Sequence, residues 1–194
     1  MSLENFQFVQ ETICQRQSIG HLVAPAPNRT QLELAFEAAL TAPDHHRLHP
    51  WRFIVIEGEQ RAALGELLSA AVADLHLDDT QVERVKVHPF RAPMIVICIT
   101  PLLDHPKVPH FEQILSGGAA IQNFILSLQA QGFSTMWRSG AVVESTYLKT
   151  QLGFAERDII SGIIYIGTAA KEIPARVPLQ SSEFVQYWST TPKV

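Results

Sequence analysis

Three stretches of this chain group residues able to hold a charged or polar ligand. The first is Arg16-Gln17-Ser18. A guanidinium offers a planar fork of donors and a hydroxyl two residues on offers a short one, so together they suit an anion. A solvated arginine beside a helix-terminal serine is the plainer alternative. The second stretch is APDHHRLHPWRF, residues 42–53, with His45, His46 and His49 beside Arg47. A loop so rich in donors suits a phosphate or an uncharged polar ring, with Trp51 packed beneath it. The spacing H-H-x-x-H also raises a metal site. It reads as having no carboxylate or thiolate partner, and neutral loop histidines ordinarily just hydrogen-bond. The third is Arg138-Ser139-Gly140, the first charge and first turn after 25 consecutive uncharged residues. Charge and turn chemistry at the end of a buried strand suits a ligand, although an ordinary strand-end turn uses the same residues.

Other chemistries lack their signatures. No G-x-G-x-x-G, Walker, G-x-S-x-G or H-E-x-x-H motif occurs, and no cysteine set has metal-ligand spacing. Asp104, Glu112 and Glu144 stand as isolated carboxylates with no identifiable acid–base partner. An enzyme with this inventory leaves the hard step to a cofactor that the protein positions, such as a flavin or a haem.

The elements that hold these stretches follow from periodicity. Phe6, Val9, Ile13 and Cys14 mark a helix over Leu3–Gln15, ending on Arg16. After the stiff Ala24-Pro25-Ala26-Pro27, Asn28 or Thr30 caps a helix with Leu32, Ala35, Phe36 and Ala39 inward, stopped by Pro43. The 42–53 loop then feeds a strand, Phe53–Glu57. An amphipathic helix spans Glu59–Leu77, and Asp79 or Thr80 caps a short one reaching His88. Met94–Thr100 is β-branched and apolar without alternation, as expected of a central buried strand. Leu102–His110 is a Pro-containing loop able to cover a site.

The organising stretch is Phe111–Gly140. A helix from about Glu112 to Gln131 runs roughly 30 Å at about 1.5 Å per residue. It shows no charged face to water, and its five amides make a poor membrane span. The expectation is a helix buried on nearly all sides, against a second copy of the chain in a dimer. Its small residues, Ser116 to Ala120, let another backbone come close. Gly132 ends the helix, Phe133–Trp137 forms a strand, Ser145–Leu152 a helix and Ile159–Gly167 a last buried strand. An extended arm, Thr168–Leu179, leads to SSEFVQYW, which reads as a further strand able to pair with a partner subunit. Strands joined through one or more helices give an α+β domain, a central sheet wrapped by helices.

Composition narrows the partners. The chain has 194 residues, the length of one domain, and a net charge of −4. It lacks the basic patch that tracks a phosphate backbone, so nucleic acid is not expected. Cys14 and Cys98 are far apart, and the N-terminus shows no signal-peptide pattern, so a reducing cytoplasm and no membrane are expected.

In order along the chain, Arg16-Gln17-Ser18, APDHHRLHPWRF, RAPMIVICIT, the uncharged helix, GFSTMWRSG and YIGT resemble the nitroreductase family, and within it the short, minimal branch of NAD(P)H nitroreductases. The resemblance covers about residues 10–188. It implies a nitroreductase-like α+β fold with a mixed or antiparallel sheet, and an intertwined homodimer with FMN sites at the subunit interface. It also implies ping-pong transfer of hydride from NAD(P)H through flavin N5 to a nitroaromatic, quinone or similar small acceptor. Arg16, Gln17 and Ser18 resemble the segment that contacts the FMN phosphate and ribityl chain. Thr41 and His45 resemble flavin contacts from the other subunit, and Trp137, Arg138 and Ser139 the strand-end contacts. Lys171 stands where a second basic phosphate contact is found, so that Arg138 or Lys171 joins Arg16 in neutralising the phosphate. Ser127, Leu128, Gln129, Ala130, Gln131 and Gly132 correspond to a segment assigned to the nicotinamide. No residue is implied as catalytic, and no metal. The family's first motif commonly reads Arg-Arg-Ser, a basic residue commonly follows where His21 stands, and close relatives are basic at Thr41. This thinner positive charge raises an alternative, a flavin-binding or storage module without turnover.

Overall fold

A computed structural model describes residues 2–188. In chain order the elements are α1 (Leu3–Gln15), β1 (Leu22–Val23), α2 (Arg29–Ala39), β2 (Arg52–Glu57), α3 (Gln60–Asp74) and α4 (Asp79–Lys86). They continue with β3 (Met94–Thr100), α5 (His110–Ala130), β4 (Ser134–Arg138), α6 (Thr146–Gln151) and β5 (Ile159–Ala169). The fold is α+β. All strand ladders are antiparallel, in the order β1-β5-β3-β2, and β4 shares with β1 the edge of β5 that faces away from β3.

β3 lies at the centre, buried along its whole length, as its unbroken apolar run requires. Its side chains alternate between two cores. Met94, Val96 and Cys98 join Leu32, Ala35, Ala39, Phe124 and Leu128, so α2 and α5 cover one face. Ile95, Ile97 and Ile99 join Leu64, Leu68, Ala71 and Leu148, so α3 and α6 cover the other. Gly117 is where α5 approaches the sheet, since a Cβ there would collide with the Thr100 side chain. The small-residue stretch thus works at one position, and Gly118 faces open space.

Several local expectations are corrected. α5 buries one face, including Gln113, Ser116, Ile121 and Ile125, but Phe111 and Leu115 stay 60% and 66% exposed. That exposed side is the one a second copy of the chain is expected to cover. Likewise α1 forms as its stripe predicts, yet buries no residue. Asp78 caps α4, rather than Asp79 or Thr80, because its carboxylate accepts from Gln81 N. β1 has only two residues, too few to show a period. SSEFVQYW forms no strand with its own chain: Ser181–Glu183 is a single 3-10 turn and Tyr187 and Trp188 are exposed. Among the described residues no helix is long and apolar enough to cross a membrane.

Candidate functional site

The Arg16-Gln17-Ser18 segment leaves α1 and runs along the start of β4. Ser18 bridges Thr135, and Ile19 N donates to Thr135 O at 2.9 Å. Arg16 Nη1 reaches Ser18 Oγ at 3.5 Å, which brings the fork and the hydroxyl to one spot. The extended arm after β5 returns to the same place. Gln17 Nε2 donates to Pro174 O at 2.8 Å, and Arg176 Nη1 donates to Arg16 O at 3.3 Å. Partial burial and then the charge of Arg176 hold Arg16 below the usual arginine range. Two guanidinium groups brought together in this way suit an anion that accepts from both. Ala170 N donates to His21 O at 3.4 Å, so Lys171 emerges along the same edge. Arg16, Ser18 and Arg176 bring together donors of the type that suits a phosphomonoester. Arg176 was not singled out from sequence. It was legible as a basic residue in the arm, and only the fold carries it across 160 positions to Arg16.

The strand-end segment lies at the other end of β4. Four residues of strand separate Thr135 from Ser139, about 13 Å at about 3.3 Å per residue. Trp137 packs toward the α2 and α5 core and its Nε1 donates to Ser161 O at 3.1 Å. Ser161 is the extra residue where the β3–β5 register shifts, and its hydroxyl meets Thr100 Oγ1 at 2.6 Å. Gly162 leaves room for the indole, because a Cβ there would strike the Trp137 ring. Arg138 alternates to the opposite face and lies over the Tyr165 ring at 5.7 Å. Arg138, expected with Lys171 as the alternative partner of Arg16, thus faces away from Trp137, and within one chain it is Arg176 that touches the Arg16 backbone.

Thr41 and His45 gather on a different part of the surface, against α5. Thr41 Oγ1 accepts from Asn123 Nδ2 at 3.3 Å. His45 Nδ1 contacts Glu112 Oε2 at 2.6 Å. The histidine loop does meet carboxylates, since Asp44 also accepts from His49 N at 2.6 Å. Even so, no group of three or more His, Cys, Asp or Glu is placed to hold a metal among the described residues. His46, Arg47 and His49 all take left-handed backbone angles (φ 61°, 54° and 49°). Three such non-glycine residues so close together are uncommon and mark a loop held in shape by its surroundings.

Ser127–Gly132 forms the last turn of α5 and its exit. Gln131 Nε2 donates to Gln31 O at 3.1 Å, tying the turn to α2. Leu128 is fully buried in the core and offers no side chain to a ligand. Gly132 has φ 87°, the left-handed geometry of a helix C-terminus.

Thus the fold joins Arg16–Ser18 with β4 and the 170–176 arm, and holds Thr41 and His45 separately on α5. Residues 13–168 match the profile described as the Nitroreductase family. The chain is 42% identical over 177 residues to a Haemophilus influenzae protein named "Putative NAD(P)H nitroreductase", covering 89% of this chain and 95% of that one. It is 37% identical over 158 residues to the Escherichia coli K12 "Putative NAD(P)H nitroreductase YdjA", covering 81% and 86%. Among solved structures, a nitroreductase-like family protein from Bacillus cereus superposes with a TM-score of 0.78 at 21% identity, covering 93% of this chain and 95% of that one. A nitroreductase in complex with FMN from Desulfovibrio desulfuricans superposes with a TM-score of 0.69 at 22% identity, covering 93% and 98%.

Proposed function

This chain belongs to the nitroreductase family, and from that premise we propose that it is an FMN-dependent oxidoreductase working as a homodimer. Hydride leaves NAD(P)H and reaches a nitroaromatic, quinone or similar small acceptor in two separate half-reactions. FMN, when bound, supplies that redox chemistry at N5.

The observation that carries this reading is the contact of Arg176 with Arg16, beside Ser18, and Lys171 on the same arm is assigned to join them. An FMN phosphate carries about −1.5 to −2 charges, if it titrates as other phosphomonoesters do. Two guanidinium groups, an ammonium and a hydroxyl match that charge. Gln17 orders the arm by its bond to Pro174 and leaves the charge to Arg16 and Arg176. Trp137, Ser139 and the strand-end backbone flank the ring. Their position is fixed by the Trp137–Ser161 bond and by the packing over Gly162. Ser127, Gln129, Ala130, Gln131 and Gly132 border the nicotinamide.

Thr41 and His45 complete the site from the second subunit, the His45 ring being oriented by Glu112. Apolar surface of α1, the first turns of α5 and the exposed Phe184, Tyr187 and Trp188 support the dimer. The unpaired outer edge of β2 can accept a partner's tail.

A titration of the flavin-free protein with FMN, followed by flavin fluorescence, tests the site. One FMN bound per chain is expected. No binding would remove the assignment. A protein that binds FMN but resists reduction by both nicotinamides would be the storage module instead.

A further inference from the structure

The loop that carries His45 closes on one side chain of α5. Ser116 is only 5% exposed, and its hydroxyl sits between the two ends of that loop. Its Oγ donates to Pro43 O at 2.6 Å and accepts from Trp51 Nε1 at 3.1 Å. A hydroxyl has one proton to give and lone pairs to receive with, so a single Ser116 can tie residues 43 and 51 together. Trp51 is itself buried in the core that α2 and α5 cover. The outgoing end of the loop is thereby anchored by packing, and Ser116 fastens the incoming end to it.

α5 meets the same segment at two further places. Glu112, one turn before Ser116, holds His45 Nδ1, and Asn123, two turns after it, donates to Ala38 O and Thr41 Oγ1, both at 3.3 Å. Spacings of four and seven residues put all three on one face of the helix. The enclosed segment needs such support. Left-handed backbone at His46, Arg47 and His49 costs free energy and persists only where the surroundings impose it. Inside the loop, Asp44 Oδ2 accepts from His49 N, and Arg52 Nη1 donates to His49 O at 3.1 Å. Neither of these bonds joins the two ends.

We propose that Ser116 is a positioning residue of the flavin site: its hydroxyl clamps the 43–51 loop so that Thr41 and His45 meet the FMN of the second subunit in one fixed arrangement. The inference rests on the reading above that these two residues complete the site across the subunit contact. Removing the hydroxyl strands the buried Trp51 Nε1–H and releases the Pro43 end of the loop. The Arg16–Ser18 edge keeps its own ties to Thr135 and Pro174.

The test uses the full chain and has two readouts. In fluorescence titrations Ser116→Ala should weaken FMN binding about tenfold, the loss of a hydrogen bond with a buried donor left stranded. In a His45→Ala background the same change should cost less than about twofold, because the clamp acts through that loop. A general loosening of the fold would cost the same factor in both backgrounds. Ser69→Ala, which removes a comparable bond to Val82 O between α3 and α4, should leave FMN binding unchanged. In the flavin-free protein, nitrogen–proton correlation spectra should show the Trp51 indole and His45 ring signals displaced by Ser116→Ala. Should Ser116→Ala fail to fold, Trp51→Phe removes only the indole donor and should give a smaller loss with the same dependence on His45. A parent that binds no FMN overturns the flavin reading, and this proposal with it. A parent that binds FMN overturns the clamp alone if Ser116→Ala binds equally well, loses the same factor with and without His45, or leaves the flavin-free His45 signals in place.

Discussion

Arg176 Nη1 donates to the backbone carbonyl of Arg16 at 3.3 Å, although 160 positions separate the two residues. That contact ties the arm after β5 to the end of α1 and brings the charge of Arg176 close enough to lower the Arg16 pKa. It is the relationship on which the phosphate site rests.

Arg16→Ala should weaken FMN binding by about 1.5–3 kcal/mol, roughly ten- to a hundredfold in Kd or somewhat more. Arg176→Ala should weaken it comparably, since both supply charge-assisted donors. Arg138→Ala should cost clearly less, because its side chain lies on the other face of the sheet. Fluorescence titration of the three variants gives the order, and a larger loss at Arg138 than at Arg176 would reverse the assignment.

Gly162→Ala should destabilise the protein by about 1–3 kcal/mol, the cost of overpacking a filled core. The added methyl meets the Trp137 indole and displaces it from Ser161 O. Denaturant melts measure the first effect, and Trp fluorescence reports the second. Gly118→Ala, where nothing lies within 4 Å, is the control and should not destabilise the chain.

His88 makes stability depend on pH in a defined direction. Its folded pKa, about 4, lies below the ordinary value of 6.5. Between those limits the unfolded chain binds more protons than the folded one, so stability falls as pH drops from 6.5 toward 4. The ring is partly exposed, so solvent screening reduces the effect to roughly 1 kcal/mol. His88→Gln should remove that part of the acid-side loss, read from urea midpoints at pH 7 and 4.5.

Leu115, 66% exposed on an otherwise apolar helix, belongs to the proposed subunit contact. Leu115→Glu should shift the dimer toward monomer by about 2 kcal/mol or more, and weaken FMN binding with it, because each site draws on both chains. Sedimentation at several concentrations reads the first effect. A parent protein that is monomeric with flavin bound would contradict the shared site.

Most of the fold was legible because its elements carry strong local signals. β3 read as buried from its unbroken apolar run, and α1 matched its period to the residue. What was not legible depends on contacts between distant parts of the chain. The position of Arg176, the opposite facing of Trp137 and Arg138, and the bulge at Ser161 all require the strand register. The tail's alternation suits a strand, but within one chain Ser181–Glu183 forms only a single 3-10 turn, and a strand there needs a partner. In the 42–53 loop, residue types flagged a site, but Glu112 reaches His45 only once α5 is placed.

The central claim, that the chain carries hydride from a nicotinamide through bound FMN, is tested most directly by a visible spectrum taken without oxygen. The purified protein, loaded with FMN, is recorded before and after addition of NADPH and, separately, NADH. The account predicts a flavin band that bleaches with at least one donor and returns when a quinone or nitroaromatic is added. A flavin band that neither donor bleaches would contradict it.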